Sequence, residues 1–341
     1  MIKINYYLLF VIFTAFAVIT LGAYVRLSDA GLGCPDWPGC YGHLIGIPNN
    51  TSEIVAAENN FFGTTFDVIK AWKEMIHRYL AGFLGILIFI ISLIFYKNNV
   101  HNIFKLSAII SVLVIMQAIL GMLTVTFQLQ PLIVMFHLLG GLTIITLLWL
   151  IFLRFNKNSY FSESEFVVNA MNYQINMLLM FGYATLIVLV IQIMLGGWTS
   201  TNYAALACPD FPKCNTFWWP DMNFSDAFMV QFTTGLNYEF GRLDSPARVA
   251  IHFSHRIWAI LVTFMILALS VISYNIIKVS YQKIISYLLV FFLLIQVLLG
   301  ILNVKMSLPI YIAVAHNGNA ALLLMCLVTQ LYFIRNVKNN L

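Results

Sequence analysis

QAILGMLTVTFQLQPLIVMFHLLGG, residues 117–141, is answered 179 residues later by QVLLGILNVKMSLPIYIAVAHNGNA, residues 296–320. Each stretch is an apolar run, a short break with a proline, and a second apolar run with a histidine near its start. A hydrocarbon core needs about 20 apolar residues per helix, so each stretch reads as part of a helical hairpin that crosses a bilayer twice. Its recurrence says that the chain repeats a unit.

Eight apolar runs of this kind occur, near residues 6–25, 75–96, 104–126, 131–153, 175–199, 251–274, 282–304 and 309–333. Of the 341 residues, 61% are hydrophobic and 9% are charged, and the mean hydropathy is +0.88. Such a chain is a polytopic membrane protein. The formal charge of +5 is spread over tails and loops without a basic block, which argues against nucleic-acid binding. The first run is long for a signal-peptide core and is read as helix 1, although LGAYVR at its end mimics a cleavage site.

An even number of spans leaves both termini on one side. Lys97, Lys105, Arg154, Lys157, Lys278 and Lys283 lie in short loops on that side, with Lys3, Arg335 and Lys338 in the tails. The short loops of the opposite face hold only Lys305. The positive-inside rule then puts the termini in the cytoplasm and the long loops, about 26–74 and 200–250, outside.

Those outer loops carry GLGCPDWPGC at 31–40 and ALACPDFPKC at 205–214. Cysteines on that side meet oxidising conditions. Cys34 with Cys40, and Cys208 with Cys214, can close small disulfide loops, work as redox dithiols, or, with His43, hold a metal. The two prolines inside each pair suit a constrained disulfide loop. Cys326, inside helix 8, reads as a small buried thiol.

The cysteine pairs recur at a spacing of 174 residues, and His77-Arg78 recurs as His255-Arg256 at 178. Spacings that drift so little mean a tandem duplication, with parallel copies related by an axis along the membrane normal. The expected architecture is all-α and integral to the membrane. Eight transmembrane helices form two pseudo-twofold-related four-helix bundles, residues 1–154 and 175–341, joined by a polar cytoplasmic linker at 155–174.

Of the seven histidines, His43 and His101 lie unmatched in loops. His77, His137, His255 and His316 are paired by the repeat and read as lying in the first turns of helices 2, 4, 6 and 8. An ionisable residue inside a span is costly and marks function. Two imidazoles per four-helix bundle suit ligation of a haem iron. Zinc or copper would want further ligands. His252 can serve in the second unit, but Glu74 holds that place in the first, so haem explains both units with the same pair.

Around these histidines, HLLGG at 137–141 and HNGNA at 316–320 offer a flat helix face, useful to a macrocycle and equally to helix packing. Gln117, Gln192 and Gln296, each four residues before a glycine, read as interhelical hydrogen bonds. Glu74 shares a helix face with His77. It is either a proton-handling group at a haem edge or an interfacial acid paired with Lys70 or Lys73. Arg78 and Arg256 suit haem propionates or snorkel to the interface.

Taken in order, GAYVRLSDAGLGCPDWPGC, EMIHR, FHLLGGLT, CPDFPKC, ARVAIHFSHR and AHNGNAALL resemble haem A synthase, over nearly the whole chain. The resemblance implies oxidation of the C8 methyl of haem O to a formyl group, by successive hydroxylations, to give haem A for terminal oxidases. It implies haem-iron ligands at His77, His137, His255 and His316, a catalytic acid at Glu74, and the outer-loop cysteine pairs at Cys34/Cys40 and Cys208/Cys214. It puts substrate haem in the first half and haem B, as electron relay, in the second. One of His77 and His137 must then be displaceable. The implied partners are a haem O synthase, an electron donor and the bilayer, with a homo-oligomer allowed. The implied location is the plasma (inner) membrane of a bacterium, or the mitochondrial inner membrane of a eukaryote. His252 departs from a strict double site, and the loop before it, 229–250, has no counterpart in the first half. The rival readings are a two-haem electron carrier that exchanges electrons with quinone, and a haem or metal transporter.

Overall fold

A computed structural model describes residues 2–61, 65–157, 172–230, 235–277 and 279–339. In chain order the helices are α1 (Ile2–Leu27), α2 (Thr51–Asn60), α3 (Val68–Lys97), α4 (His101–Thr126), α5 (Pro131–Phe155), α6 (Asn172–Thr201), α7 (Phe224–Ala227), α8 (Ser245–Ile276), α9 (Ser280–Lys305) and α10 (Ile310–Asn339). Among the described residues, eight of these are long and apolar enough to cross a membrane. The short α2 and α7 belong to the outer loops. Helices are expected here because a backbone in lipid must satisfy its own hydrogen bonds. Most of the expected linker, and Lys278, lie outside the described residues.

The apolar runs locate every span but not every helix end. α3 and α8 begin well before their runs, at Val68 and Ser245. Both starts are capped by aspartate: Asp67 accepts from the Ile69 and Lys70 N–H groups, and Asp244 from Ala247 N–H. The Lys70 N–H, working against burial and helped by Ile69, holds the Asp67 carboxyl below its ordinary value. α5 starts on Pro131 behind a Gln130 cap, where a missing N–H costs nothing.

α1, α3, α4 and α5 pack in a ring, α1 on α3, α3 on α4, α4 on α5 and α5 back on α1. α6, α8, α9 and α10 do the same. Between the rings, α1 meets α10, α5 meets α6, and α5 meets α10. Exchanging the halves maps this set onto itself, which is compatible with two pseudo-twofold-related bundles.

The large buried side chains gather in the half nearer the termini: Leu8, Ile88, Phe95, Ile145 and Leu148 in the first bundle, Ile175, Ile266 and Leu289 in the second. Phe13, Ile86, Ile187 and Phe264 face outward, as lipid-facing side chains do. α10 is unlike the other spans. Its apolar window is 72% buried against 33% for α5, which is why it tolerates buried Thr329, Gln330 and Asn336. Trp149 Nε1 donates to Thr329 Oγ1 at 2.7 Å, and Tyr332 OH to Leu153 O at 3.3 Å, across the α5–α10 seam.

At the outer end the halves are joined by Arg26, at the foot of α1. Its Nη1 donates to Tyr203 OH at 2.8 Å and its Nη2 to Ser200 O at 3.1 Å, with the guanidinium 4.3 Å from the Tyr203 ring centroid. Removing it takes a charged donor from the Tyr203 hydroxyl and one of two donors from the Ser200 carbonyl, which keeps the Tyr203 N–H at 3.2 Å. Arg26→Ala should therefore cost about 1–3 kcal/mol, read as a lower melting temperature in detergent with an unchanged helical circular-dichroism spectrum.

Candidate functional site

His77 and His137 lie on α3 and α5, His255 and His316 on α8 and α10. Each ring lies across a glycine of a neighbouring helix. A Cβ added at Gly22 would stand 2.9 Å from His77 Cε1, at Gly121 3.3 Å from His137 Cε1, at Gly196 3.1 Å from His255 Cε1, and at Gly300 3.3 Å from His316 Cε1. The pairing is the same in both bundles, so the glycines form four matched notches. His137 and His316 sit in the second turn of their helices. His77 and His255 sit about three turns in rather than in a first turn, because Asp67 and Asp244 start α3 and α8 early.

The Nδ1 atoms of His77, His137 and His316 are buried without a hydrogen-bond partner. The two rings of each pair lie near enough to feel one another's charge. A neutral imidazole carries one donor and one acceptor nitrogen, and here protein atoms do not use them up. Two imidazoles per bundle, each seated in a notch free of side chain, fit a haem iron that both would hold. Among the described residues no group of three or more His, Cys, Asp or Glu side chains is placed to hold a metal ion. The zinc or copper alternative, with His252 as a third ligand, is therefore not assembled.

His252 and Glu74 have a different employment. Glu74 is buried, 4% exposed, and is not an interfacial acid. Its Oε2 accepts the Cys34 N–H at 2.8 Å, and its Oε1 pairs with Arg78. Lys73 instead lies over the Tyr24 ring, 5.0 Å from its centroid. In the second bundle the Cys208 N lies 3.3 Å from His252 Nδ1, and Arg256 Nε lies 3.1 Å from its Nε2; a neutral imidazole accepts at one of the two. An imidazole thus stands in the second half where a carboxylate stands in the first, between the cysteine amide and the arginine.

The arginines complete the clip. Arg78 Nη1 donates to Asp36 O at 2.9 Å and also to Gly39 O. Arg256 donates to Lys213 O at 3.0 Å and to Cys208 O at 2.6 Å. Neither side chain snorkels: their donors hold the cysteine loops to the helices that carry the histidines. Cys34 and Cys40 form one disulfide, and Cys208 and Cys214 another. Each loop is tightened by its aspartate: Asp36 accepts from Tyr41 and Gly42 N–H, and Asp210 from Asn215 and Thr216 N–H. Gly33 is required by closeness, since a Cβ there would stand 2.6 Å from the Lys70 carbonyl. His43 only bridges to Cys40 through backbone hydrogen bonds, so the metal reading of that loop has no ligands.

The glutamines are interhelical, as their spacing predicts. Gln117 Nε2 donates to His137 O, Gln192 Nε2 to His255 O at 3.1 Å, and Gln296 Nε2 lies 3.2 Å from His316 Nε2. The glycines after His137 and His316 serve helix packing. Gly141 faces Gln117 and Ile19, and Gly318 faces Thr20 and Phe16 of α1. Missed in the sequence was the Gly22 notch, which no glutamine announces; aligning α1 with α6, where Gly196 follows Gln192, would have found it. Cys326 is a free, buried thiol, as expected.

Residues 5–328 match the family model COX15-CtaA, described as cytochrome oxidase assembly protein. A heme A synthase of Shewanella oneidensis is 46% identical over 317 residues, which cover 93% of this chain and 92% of that protein. Heme A synthases of Halalkalibacterium halodurans and Rickettsia akari are each 26% identical, covering 93% and 94% of the chain.

Removing the carboxylate of Glu74 would leave Arg78 buried without its counter-charge. Glu74→Ala should cost about 3–5 kcal/mol and let a membrane-impermeant phosphine reduce the Cys34–Cys40 disulfide faster. Glu74→Gln, which keeps an acceptor for the Cys34 N–H, should fall between. Thermal melting and the reduction rate give the two readouts.

Proposed function

The chain belongs to the cytochrome oxidase assembly family whose members include the heme A synthases, and from that premise we propose that it oxidises the C8 methyl of haem O to the formyl group of haem A for terminal oxidases. One observation carries the reading: two matched couples of buried imidazoles, each ring in a glycine notch, in a membrane chain similar along nearly its whole length to proteins of that name. The cysteine loops clipped over the same helices support it.

In this reading the first unit, residues 1–154, takes haem O as substrate with His77 and His137 as the residues that would hold its iron; dioxygen is the oxidant, and a donor outside the chain supplies the electrons that each hydroxylation needs. The second unit, residues 175–341, holds haem B between His255 and His316. Bound haem B supplies one-electron transfer. The protein's own groups do the rest. Gln117 fixes His137 from α4, and so orients the substrate. Glu74, one turn before His77 and beneath the Cys34–Cys40 loop, is the carboxylate that takes and returns a proton at Oε2 as the methyl is oxidised, giving up its bond to the Cys34 N–H. Arg78 and Arg256 are positioning residues: they hold the disulfide loops over the outer ends of the bundles and keep water away. His252 replaces Glu74 where no substrate chemistry is done, keeping the clip without the charge.

The bacterial relatives support a plasma-membrane location, and the distribution of lysine and arginine supports cytoplasmic termini. A haem O synthase is the reading's source of substrate.

A pigment extraction tests the proposal. The chain is expressed with a source of haem O, and the extracted haems are resolved by chromatography and mass. Haem A or its hydroxylated precursor should appear, vanish in His77→Ala and His137→Ala, and fall about 10²-fold or more in Glu74→Gln. Haem B alone, with haem O untouched in a reduced and aerated sample, would refute the enzyme and leave the two-haem electron carrier.

A further inference from the structure

Three of the four notch glycines are preceded, one helical turn earlier, by a glutamine: Gln117 before Gly121, Gln192 before Gly196, Gln296 before Gly300. Residues four apart share a helix face, so glutamine and glycine address the same histidine. Gln117 Nε2 donates to the His137 carbonyl. Gln192 Nε2 donates to the His255 carbonyl at 3.1 Å and lies 3.2 Å from its ring Nδ1. Gln296 Nε2 lies 3.2 Å from His316 Nε2, and its Oε1 accepts from Asn319 Nδ2 at 2.7 Å. Each clasp ties a histidine to the helix beside it.

α1 breaks the pattern. Its notch glycine is Gly22, packed against His77, and the residue one turn earlier is Val18. Val18 is buried, 9% exposed, and its side chain has neither donor nor acceptor. His77 therefore has the notch without the clasp. In the second couple both histidines are clasped; in the first, only His137 is. The backbone of α3 at this level is held independently by the grip of Arg78 on Asp36 and Gly39. Turning of the His77 side chain would then need no shift of its helix.

A permanently held cofactor is served by two fixed ligands. A site where a substrate haem is oxidised needs one ligand that yields. We propose that His77 is the exchangeable ligand of the first couple, that His137 is the fixed one, and that Val18 in place of glutamine makes the difference. Val18 and Gln117 are then positioning residues of opposite effect. The proposal rests on the reading that His77 and His137 ligate substrate haem, and its test separates the two.

The full chain is purified with haem O bound, reduced without oxygen, and titrated with carbon monoxide, which binds only where a ligand leaves. Wild type should bind it at the first couple, while the haem of the second couple keeps its six-coordinate spectrum. Val18→Gln should weaken carbon monoxide binding by roughly five-fold, the weight of one net hydrogen bond, and Gln117→Val should strengthen it. Unchanged binding in both variants, at wild-type haem content, would overturn the proposal. If Val18→Gln fails to fold, single ligand removal decides. His77→Ala should keep haem O in a five-coordinate form open to carbon monoxide, and His137→Ala should lose most of it. The reverse order would overturn the proposal. Haem O content unaffected by either alanine would instead remove the ligand reading beneath it.

Discussion

A neutral imidazole sunk in an apolar interior has two polar nitrogens and no water, and each one left bare costs about 1–3 kcal/mol. This chain sinks four of them and leaves the Nδ1 atoms of His77, His137 and His316 without partners. Much of the structure follows from keeping those rings where they are. Gly22, Gly121, Gly196 and Gly300 make room for them. Two large apolar clusters fill the half nearer the termini, and smaller ones that include Met75, Met135 and Ile251 pack close to the histidines. An iron that accepted an imidazole lone pair would offset part of that cost.

The outer loops answer a second demand, that a long polar segment be pinned over the bundle end. Both halves solve it with an arginine that grips loop carbonyls, four residues after a polar side chain, Glu74 or His252, set against the amide of the first cysteine. The two solutions differ in charge. Arg78 faces a carboxylate, so the first clip is an ion pair; Arg256 faces the imidazole of His252, so the second is not. The Glu74 carboxylate is thus fixed in place by the loop it fixes.

The spans and the repeat were legible because apolar runs and the spacing of His, Gln and Cys survive in sequence. The starts of α3 and α8 were not, because Asp67 and Asp244 cap polar turns that hydropathy does not register. Glu74 was visible as a candidate, but its partners were sought at Lys70 and Lys73. One true partner is Arg78, and the other is the amide of Cys34, forty residues away. No local pattern reveals a contact of that range. The arginines were assigned to propionates or the interface; they also hold carbonyls whose positions depend on how a disulfide loop folds back. Gly318 was read as serving a macrocycle or helix packing, and it packs on Thr20 and Phe16 of the other bundle, a contact that exists only once both halves are docked.

The contacts between the bundles, α1 on α10, α5 on α6 and α5 on α10, return to themselves when the halves are exchanged. That is the surface two separate copies of a four-helix chain would use to pair. In such a pair every substitution would appear twice, and no change could be confined to one site. Written as one chain, the halves are released from that rule. Val18 opposite Gln192, and Glu74 opposite His252, are differences that an ancestor made of two identical halves could not have carried.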